Sequence, residues 1–105
     1  MIFVALSEAA DRGQLLLVEG GLCRFHRRRD GVVVIRELLV LPARRRQRIG
    51  RGLVREVLCR AGNRPVQARC PVAYEAGNAF WKAMAFHLMA EKDGINLWQR
   101  PAYPT

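Results

Sequence analysis

Five arginines and two glycines crowd the nine residues Arg44-Arg45-Arg46-Gln47-Arg48-Ile49-Gly50-Arg51-Gly52. A helix begins within this stretch. Ile49, Leu53, Val54, Val57 and Leu58 fall at helical spacing, while Arg51, Arg55, Glu56 and Arg60 take the other face. The first turn of a helix leaves backbone N–H groups without intrahelical partners, and the helix dipole makes that end partially positive. Ser, Thr, Asp or Asn would ordinarily cap it, and none stands here. Arginines and glycines in their place fit an external anion that supplies the missing acceptors. Gly50 and Gly52 would let its oxygens approach the backbone. A solvated basic face beside glycines used for helix packing would give the same residues.

The whole chain shares this charge. Its 105 residues hold 18 Lys plus Arg against 9 Asp plus Glu, a net of +9, and only Lys82 and Lys92 are lysines. The planar fork of arginine pairs well with phosphate, which points to a phosphorylated partner, either a nucleotide cofactor or a nucleic acid. Cys23, Cys59 and Cys70 are odd in number and form no C-x-x-C pair. Neither a zinc site nor a disulfide framework is indicated, and a reducing cytoplasm fits best. His26 and His87 are lone residues with structural or surface roles. No apolar run approaches spanning length, and Met1 to Leu6 is too short for a signal-peptide core. A soluble cytoplasmic protein without metal or membrane partner is expected.

The length suits one domain over residues 1–105. Ile2 to Leu6 and Leu15 to Val18 read as strands, with a short capped helical turn from Ser7 to Asp11 between them. Gly20-Gly21 is a turn, and Leu22 to Arg27 alternates with one basic face. Arg29-Asp30-Gly31 signals a hairpin. Val32 to Leu41 is a long apolar run broken only by Arg36 and Glu37, expected at a sheet centre and buried on both faces. Pro42 ends it. Gly62-Asn63 closes the helix. Val66 to Val72 is a strand, Asn78 to Met84 a second helix, and His87 to Ala90 with Ile95 to Gln99 a hairpin around Asp93-Gly94. The order predicts a mixed α/β domain around one twisted sheet.

Two blocks in this order carry a resemblance. Leu38-Leu39-Val40-Leu41-Pro42 followed by Arg45-Arg46-Gln47-Arg48-Ile49-Gly50-Arg51-Gly52-Leu53 resembles the cofactor-binding core of the GNAT N-acyltransferase superfamily. There, a strand patterned like L-x-V-x-P leads into R/Q-x-x-G-x-G/A at the start of a helix. Asn78-Ala79-Phe80-Trp81-Lys82-Ala83-Met84-Ala85-Phe86 resembles the family's later N…F-(Y/W)-x-x-x-G-F helix. The resemblance covers roughly residues 14–100. Counted from Val40, Arg48 stands where the family has its first loop glycine, and Gly50 then opens the helix. A register from Gln47 restores Q-x-x-G-x-G but shifts the loop by two residues. Ala85 replaces the glycine before Phe86, and Trp81 replaces the tyrosine often found there as the acid for the departing thiolate.

The resemblance implies a mixed, mostly antiparallel α+β sheet with helices on both faces and the N-terminal helices reduced. It implies direct transfer of an acetyl or other acyl group from acetyl-coenzyme A to an amine, without a metal. The pantetheine arm would pair with Leu38, Leu39 and Val40, whose N–H groups can polarise the thioester carbonyl. Arg45, Arg46, Gln47, Arg48, Ile49, Gly50, Arg51 and Gly52 would hold the pyrophosphate. Asn78 would bond the pantetheine arm or cap its helix, and Trp81 and Phe80 would pack in the core or against the cofactor. A carboxylate on a largely buried strand suits proton abstraction from the amine, which makes Glu37 the leading base, with an ion pair to a neighbouring arginine as its other reading. Tyr74 and Glu75 are further acid and base candidates. Only about a dozen residues precede Gln14, too few for the family's two N-terminal helices. The acceptor side should therefore be open or completed by a second subunit, and Arg24, Arg27, Arg28 and Arg29 could line it. The acceptor amine would belong to a protein, a nucleic acid or a small molecule. A basic nucleic-acid-binding domain without catalysis, or a coenzyme A-binding domain without turnover, are the alternatives.

Overall fold

The computed structural model describes residues 4–8, 13–45 and 47–101, with side chains from residue 13 onward. Seven strands and two helices follow one another as β1 (Val4–Glu8), β2 (Gly13–Val18), β3 (Gly21–Arg27), β4 (Val33–Val40), α1 (Ile49–Ala61), β5 (Val66–Pro71), α2 (Glu75–Ala83), β6 (His87–Lys92) and β7 (Ile95–Arg100). They build a single sheet ordered β1-β2-β3-β4-β5-β7-β6. Every neighbouring pair is antiparallel except β4 and β5. That one parallel pair needs a crossover, and α1 supplies it. The mixed, mostly antiparallel sheet with two helices agrees with expectation.

Directly paired residues share a sheet face. Phe25 pairs with Ile35, Ile35 with Ala68, and Ala68 with Trp98, so these four form one cross-strand row. All are buried, in a continuous core with Leu53, Val54 and Val57 of α1 and Trp81 of α2. Both helices therefore lie on this face. Gly21 permits the close seating of α1: a Cβ there would stand 2.8 Å from Ile49 Cγ2 and 3.1 Å from the Leu39 carbonyl oxygen. The opposite face carries the row Leu17, Leu22 and Leu39. No helix among the described residues covers it. The expected helices on both faces are therefore found on one face only among the described residues, where α1 and α2 pack.

Three local expectations are corrected. β1 continues through Glu8, so Ser7 lies in a strand, paired with Gln14, and does not cap a helical turn; residues 9–12 lie outside the described residues. β4 is central in the sheet but is not buried on both faces, because Arg36, Glu37 and Leu39 are exposed where no helix packs. The second helix starts at Glu75, which places Asn78 inside it and leaves Tyr74 as the N-cap.

The cysteines provide a check on the core. Cys23 and Cys70 are buried and Cys59 is exposed, all three as free thiols. A thiol reagent at neutral pH should modify Cys59 in the native protein and reach the other two only after unfolding. Burial pushes the Cys23 thiol from the ordinary 9.0 up to about 12. Above pH 9 the unfolded chain releases this proton while the folded protein keeps it, so the unfolded state binds fewer protons. Stability conferred by the neutral thiol is complete below pH 9 and is lost as pH rises towards 12. Urea midpoints across that window should fall, and less steeply in a Cys23→Ala variant. An identical slope in the two proteins would contradict the assignment.

Candidate active site

β4 and β5 pair only over Val33–Ile35 and Val66–Ala68. Past this point β4 runs on to Val40 and β5 to Pro71 without touching in register, so the two strands open as a wedge. The cause is a β-bulge. Arg24 pairs with Glu37 but Phe25 pairs with Ile35, which leaves Arg36 as the extra residue on β4. A bulge bends its strand and raises the local twist. It also resets the alternation, so that Leu38 and Val40 pack against the core while Leu39 is 57% exposed. On its β5 side, the backbone of Leu38, Leu39 and Val40 has no strand partner, an edge that an extended ligand can pair with.

The wedge leads into the arginine loop. Leu41 N–H donates to the Gly20 carbonyl at 2.9 Å, and a 3₁₀ turn follows over Pro42–Arg44. Arg44 is committed to loop structure: its guanidinium donates to Glu19 Oε1 and to Gln47 Oε1, each at 3.0 Å. Gln47 is thereby held by Arg44. Arg45, Arg48 and Arg51 are exposed and have no acidic partner among the described residues. Arg46 lies outside the described residues. α1 has no side-chain cap and no acidic residue in its first turn. Gly52 N–H makes a bond back to Arg48 O at 3.0 Å, so the N–H groups of Ile49, Gly50 and Arg51 precede it. Beside them is a cavity of about 310 Å³ between Val40, this turn, Phe80 and Ala83 of α2, and Met84 just after it.

Arg48 is the N-cap residue of α1 with φ 60° and ψ 22°, a left-handed conformation. Ala85, after α2, has φ 66°. Residues other than glycine, asparagine and aspartate rarely adopt it. These are the two positions where the resembling pattern carries glycine. Both positions hold a conformation that glycine adopts most readily, in keeping with the register counted from Val40.

Glu37 stands directly across from Arg24, at a cavity of about 330 Å³ shared with His26 and Arg36. It is exposed and forms no ion pair among the described residues. The expected burial is absent, because among the described residues no helix lies over the face it occupies. Tyr74 is 54% exposed at the start of α2, with Glu75 exposed beside it. Trp81 is buried between Phe80 and Phe86, ring centroids 5.1 and 5.0 Å away.

Asn78 is fully occupied by the protein. Its amide nitrogen donates to the Pro71 and Tyr74 carbonyls at 2.9 and 2.8 Å, and its oxygen accepts from Trp98 Nε1 at 2.8 Å and Asn96 Nδ2 at 3.0 Å. It fastens α2 to β5 and β7. Sequence reasoning passed over Ala83 and Met84, which wall the cavity together with Phe80. Their i, i+3, i+4 spacing was the available signal.

Solved structures share this architecture. The PaiA N-acetyltransferase of Thermoplasma acidophilum, in complex with coenzyme A, aligns with a TM-score of 0.75 and 11% identity over 87% of this chain and 60% of that one. An acetyltransferase of Bacillus subtilis in complex with CoA gives 0.73 and 11% over 87% and 76%. A GNAT-family acetyltransferase of Staphylococcus aureus gives 0.70 and 12% over 85% and 66%. The chain therefore has the fold of the GNAT acetyltransferases, and spans 60% to 76% of the length of these three. No protein-family model and no curated protein matches the sequence.

Proposed function

We propose that the protein is an acetyl-coenzyme A-dependent N-acetyltransferase. The observation that carries this is the continuity of the β4 wedge, with its unpaired backbone edge, into the uncapped N-terminus of α1 beside Arg45, Arg48 and Arg51. An extended pantetheine arm finds strand-like partners along Leu38 to Val40, and a pyrophosphate finds free N–H groups and three guanidinium groups at one end of that edge. Solved neighbours with this fold bind coenzyme A, which favours the same ligand here.

In the reaction, the acceptor amine gives up a proton to Glu37, directly or through water, and its nitrogen attacks the thioester carbonyl carbon. The C–N bond forms, the C–S bond breaks, and coenzyme A leaves as its thiol after taking up a proton. Tyr74, three residues beyond the end of β5, is the phenol to which this reading assigns protonation of the thiolate. Trp81 has no proton to offer at working pH and is buried. The free thiols suit residence in the reducing cytoplasm.

Gly50→Ala tests the cofactor site. The added Cβ would meet Phe80 Cε1 at 3.5 Å and Val40 Cγ2 at 3.6 Å, ordinary contacts for the fold. Alanine also favours the helix by up to about 1 kcal/mol. The same methyl would intrude on a phosphate drawn against the first turn. Thermal stability should be equal or higher, while calorimetric affinity for acetyl-coenzyme A should fall at least about tenfold, or 1.4 kcal/mol. Absence of binding by the unaltered protein would end the acetyltransferase reading.

A further inference from the structure

A second concentration of positive charge lies at the opposite end of the fold from the arginine loop. β4 begins there and α1 ends there, whereas both meet the loop at their other ends. The β3–β4 hairpin contributes Arg27, Arg28 and Arg29, and the end of α1 with its following turn contributes Arg60 and Arg64. Together they surround an open hollow of about 1050 Å³. Its one carboxylate, Asp30, is taken by Arg28 and by Val32 N–H, contacts that hold Asp30 below the usual carboxylate range. Arg60 pairs with Glu56 at 3.0 Å. Arg27 and Arg29 are exposed, with no acidic partner among the described residues. The hollow shares Phe25 and His26 with the smaller cavity at Arg24, Arg36 and Glu37. The cationic tract itself runs across the hollow, from the β3–β4 hairpin to the turn after α1, apart from Glu37.

We propose that this tract is a docking surface for a nucleic-acid strand, gripped through its phosphates. Guanidinium groups brought together around one hollow repel each other, and a polyanion relieves that repulsion while releasing its own counterions. All the strong cations of the hollow are arginine, whose fork matches phosphate oxygens two at a time. A nucleic acid carries a charge on every residue and so meets cations spread along a tract in any register. An acidic polypeptide needs a run of carboxylates in one register. Phe25 is 6% exposed, which leaves the His26 imidazole as the single ring of the hollow open to a base. Contacts to the backbone then dominate, and sequence preference is weak. This docking is independent of acyl transfer and of the cofactor loop.

The test is fluorescence anisotropy of a short labelled oligouridylate against the full chain over a range of salt. The unaltered protein should bind, with log affinity falling linearly in log salt. Each phosphate contact adds about 0.7 to that slope for a single strand. A triple Arg27→Glu, Arg29→Glu, Arg64→Glu variant should lower the slope by about two and weaken binding at least tenfold at low salt. Its thermal midpoint and its calorimetric affinity for acetyl-coenzyme A should not change. Should the triple variant fold poorly, Arg29→Glu alone, in the exposed hairpin turn, should lower the slope by about 0.7. The proposal is overturned if the unaltered protein does not bind. It is equally overturned if these variants keep the original slope, or if Arg45→Glu with Arg48→Glu abolishes RNA binding instead. Equal competition by an oligoglutamate of the same charge would assign the surface to acidic polypeptides and reject it as a nucleic-acid site.

Discussion

Asn78→Ala should destabilise the protein by about 3 kcal/mol or more, the largest stability effect expected from any single polar side chain here. The residue spends both amide hydrogens and both lone pairs of its oxygen on β5, β7 and the start of its own helix. Truncation strands the indole N–H of Trp98 and the amide of Asn96, which are only 7% and 9% exposed as residues. A buried donor left without an acceptor costs about 1–3 kcal/mol. The Pro71 and Tyr74 carbonyls belong to exposed residues and can turn to water, so they add less. For a chain of this size, thermal unfolding should shift down by at least about 12 °C. A double-mutant cycle sharpens the test. Trp98→Phe removes one stranded donor, so it should cost about 1 kcal/mol less in the Asn78→Ala background than alone. A midpoint within a few degrees of the unaltered protein, with no coupling, would return Asn78 to the cofactor.

Glu37→Gln should lower turnover by about 10²- to 10⁴-fold, the range for losing a positioned general base. Affinity for acetyl-coenzyme A should stay within about twofold, since Glu37 lies on the sheet face opposite α1, whose uncapped turn takes the phosphates. The substitution keeps side-chain size on an exposed strand position and leaves the core row of Phe25, Ile35 and Ala68 intact. A loss of activity therefore cannot be assigned to unfolding if the thermal midpoint is preserved. Steady-state rates with a panel of amines, including peptides, polyamines and oligonucleotides, check the prediction. In the variant the rate should depend more steeply on pH, because the free amine must form before attack. Unaltered turnover removes Glu37 from the mechanism and leaves the open cavity at Arg24 and Arg36 as a binding surface alone.

Much of the architecture was legible along the chain because its determinants are local. The 3.6-residue spacing from Ile49 to Leu58 marks α1, and Gly62 marks its end. Asp30-Gly31 and Asp93-Gly94 mark hairpins whose glycines have φ of 90° and 77°. The absence of a capping residue before Ile49 likewise depends only on neighbours, so the anion-receptive turn could be read from nine consecutive residues. The start of α2 was misplaced because Glu75, Ala76 and Gly77 carry no apolar repeat. Their helical state follows from the turn that Asn78 clamps against Pro71 and Tyr74.

The excess of arginine, the uncapped helix start and the two spaced blocks that resemble an acyltransferase are properties of the chain read in order. What those residues do to one another depends on how the folded segments meet. The bulge at Arg36 exists because β4 pairs with β3 out of step, and that pairing opens the wedge from β5. The exposure of Glu37 follows from a sheet face that no helix covers among the described residues. The commitment of Asn78 follows from Asn96 and Trp98, residues distant in sequence that β7 carries to its amide. Arg29 and Arg64 meet around one hollow only because α1 returns the chain to the hairpin end of β4. Periodicity reports the backbone's local preference, whereas a site is a set of distances between segments, and those are settled by strand register and helix packing.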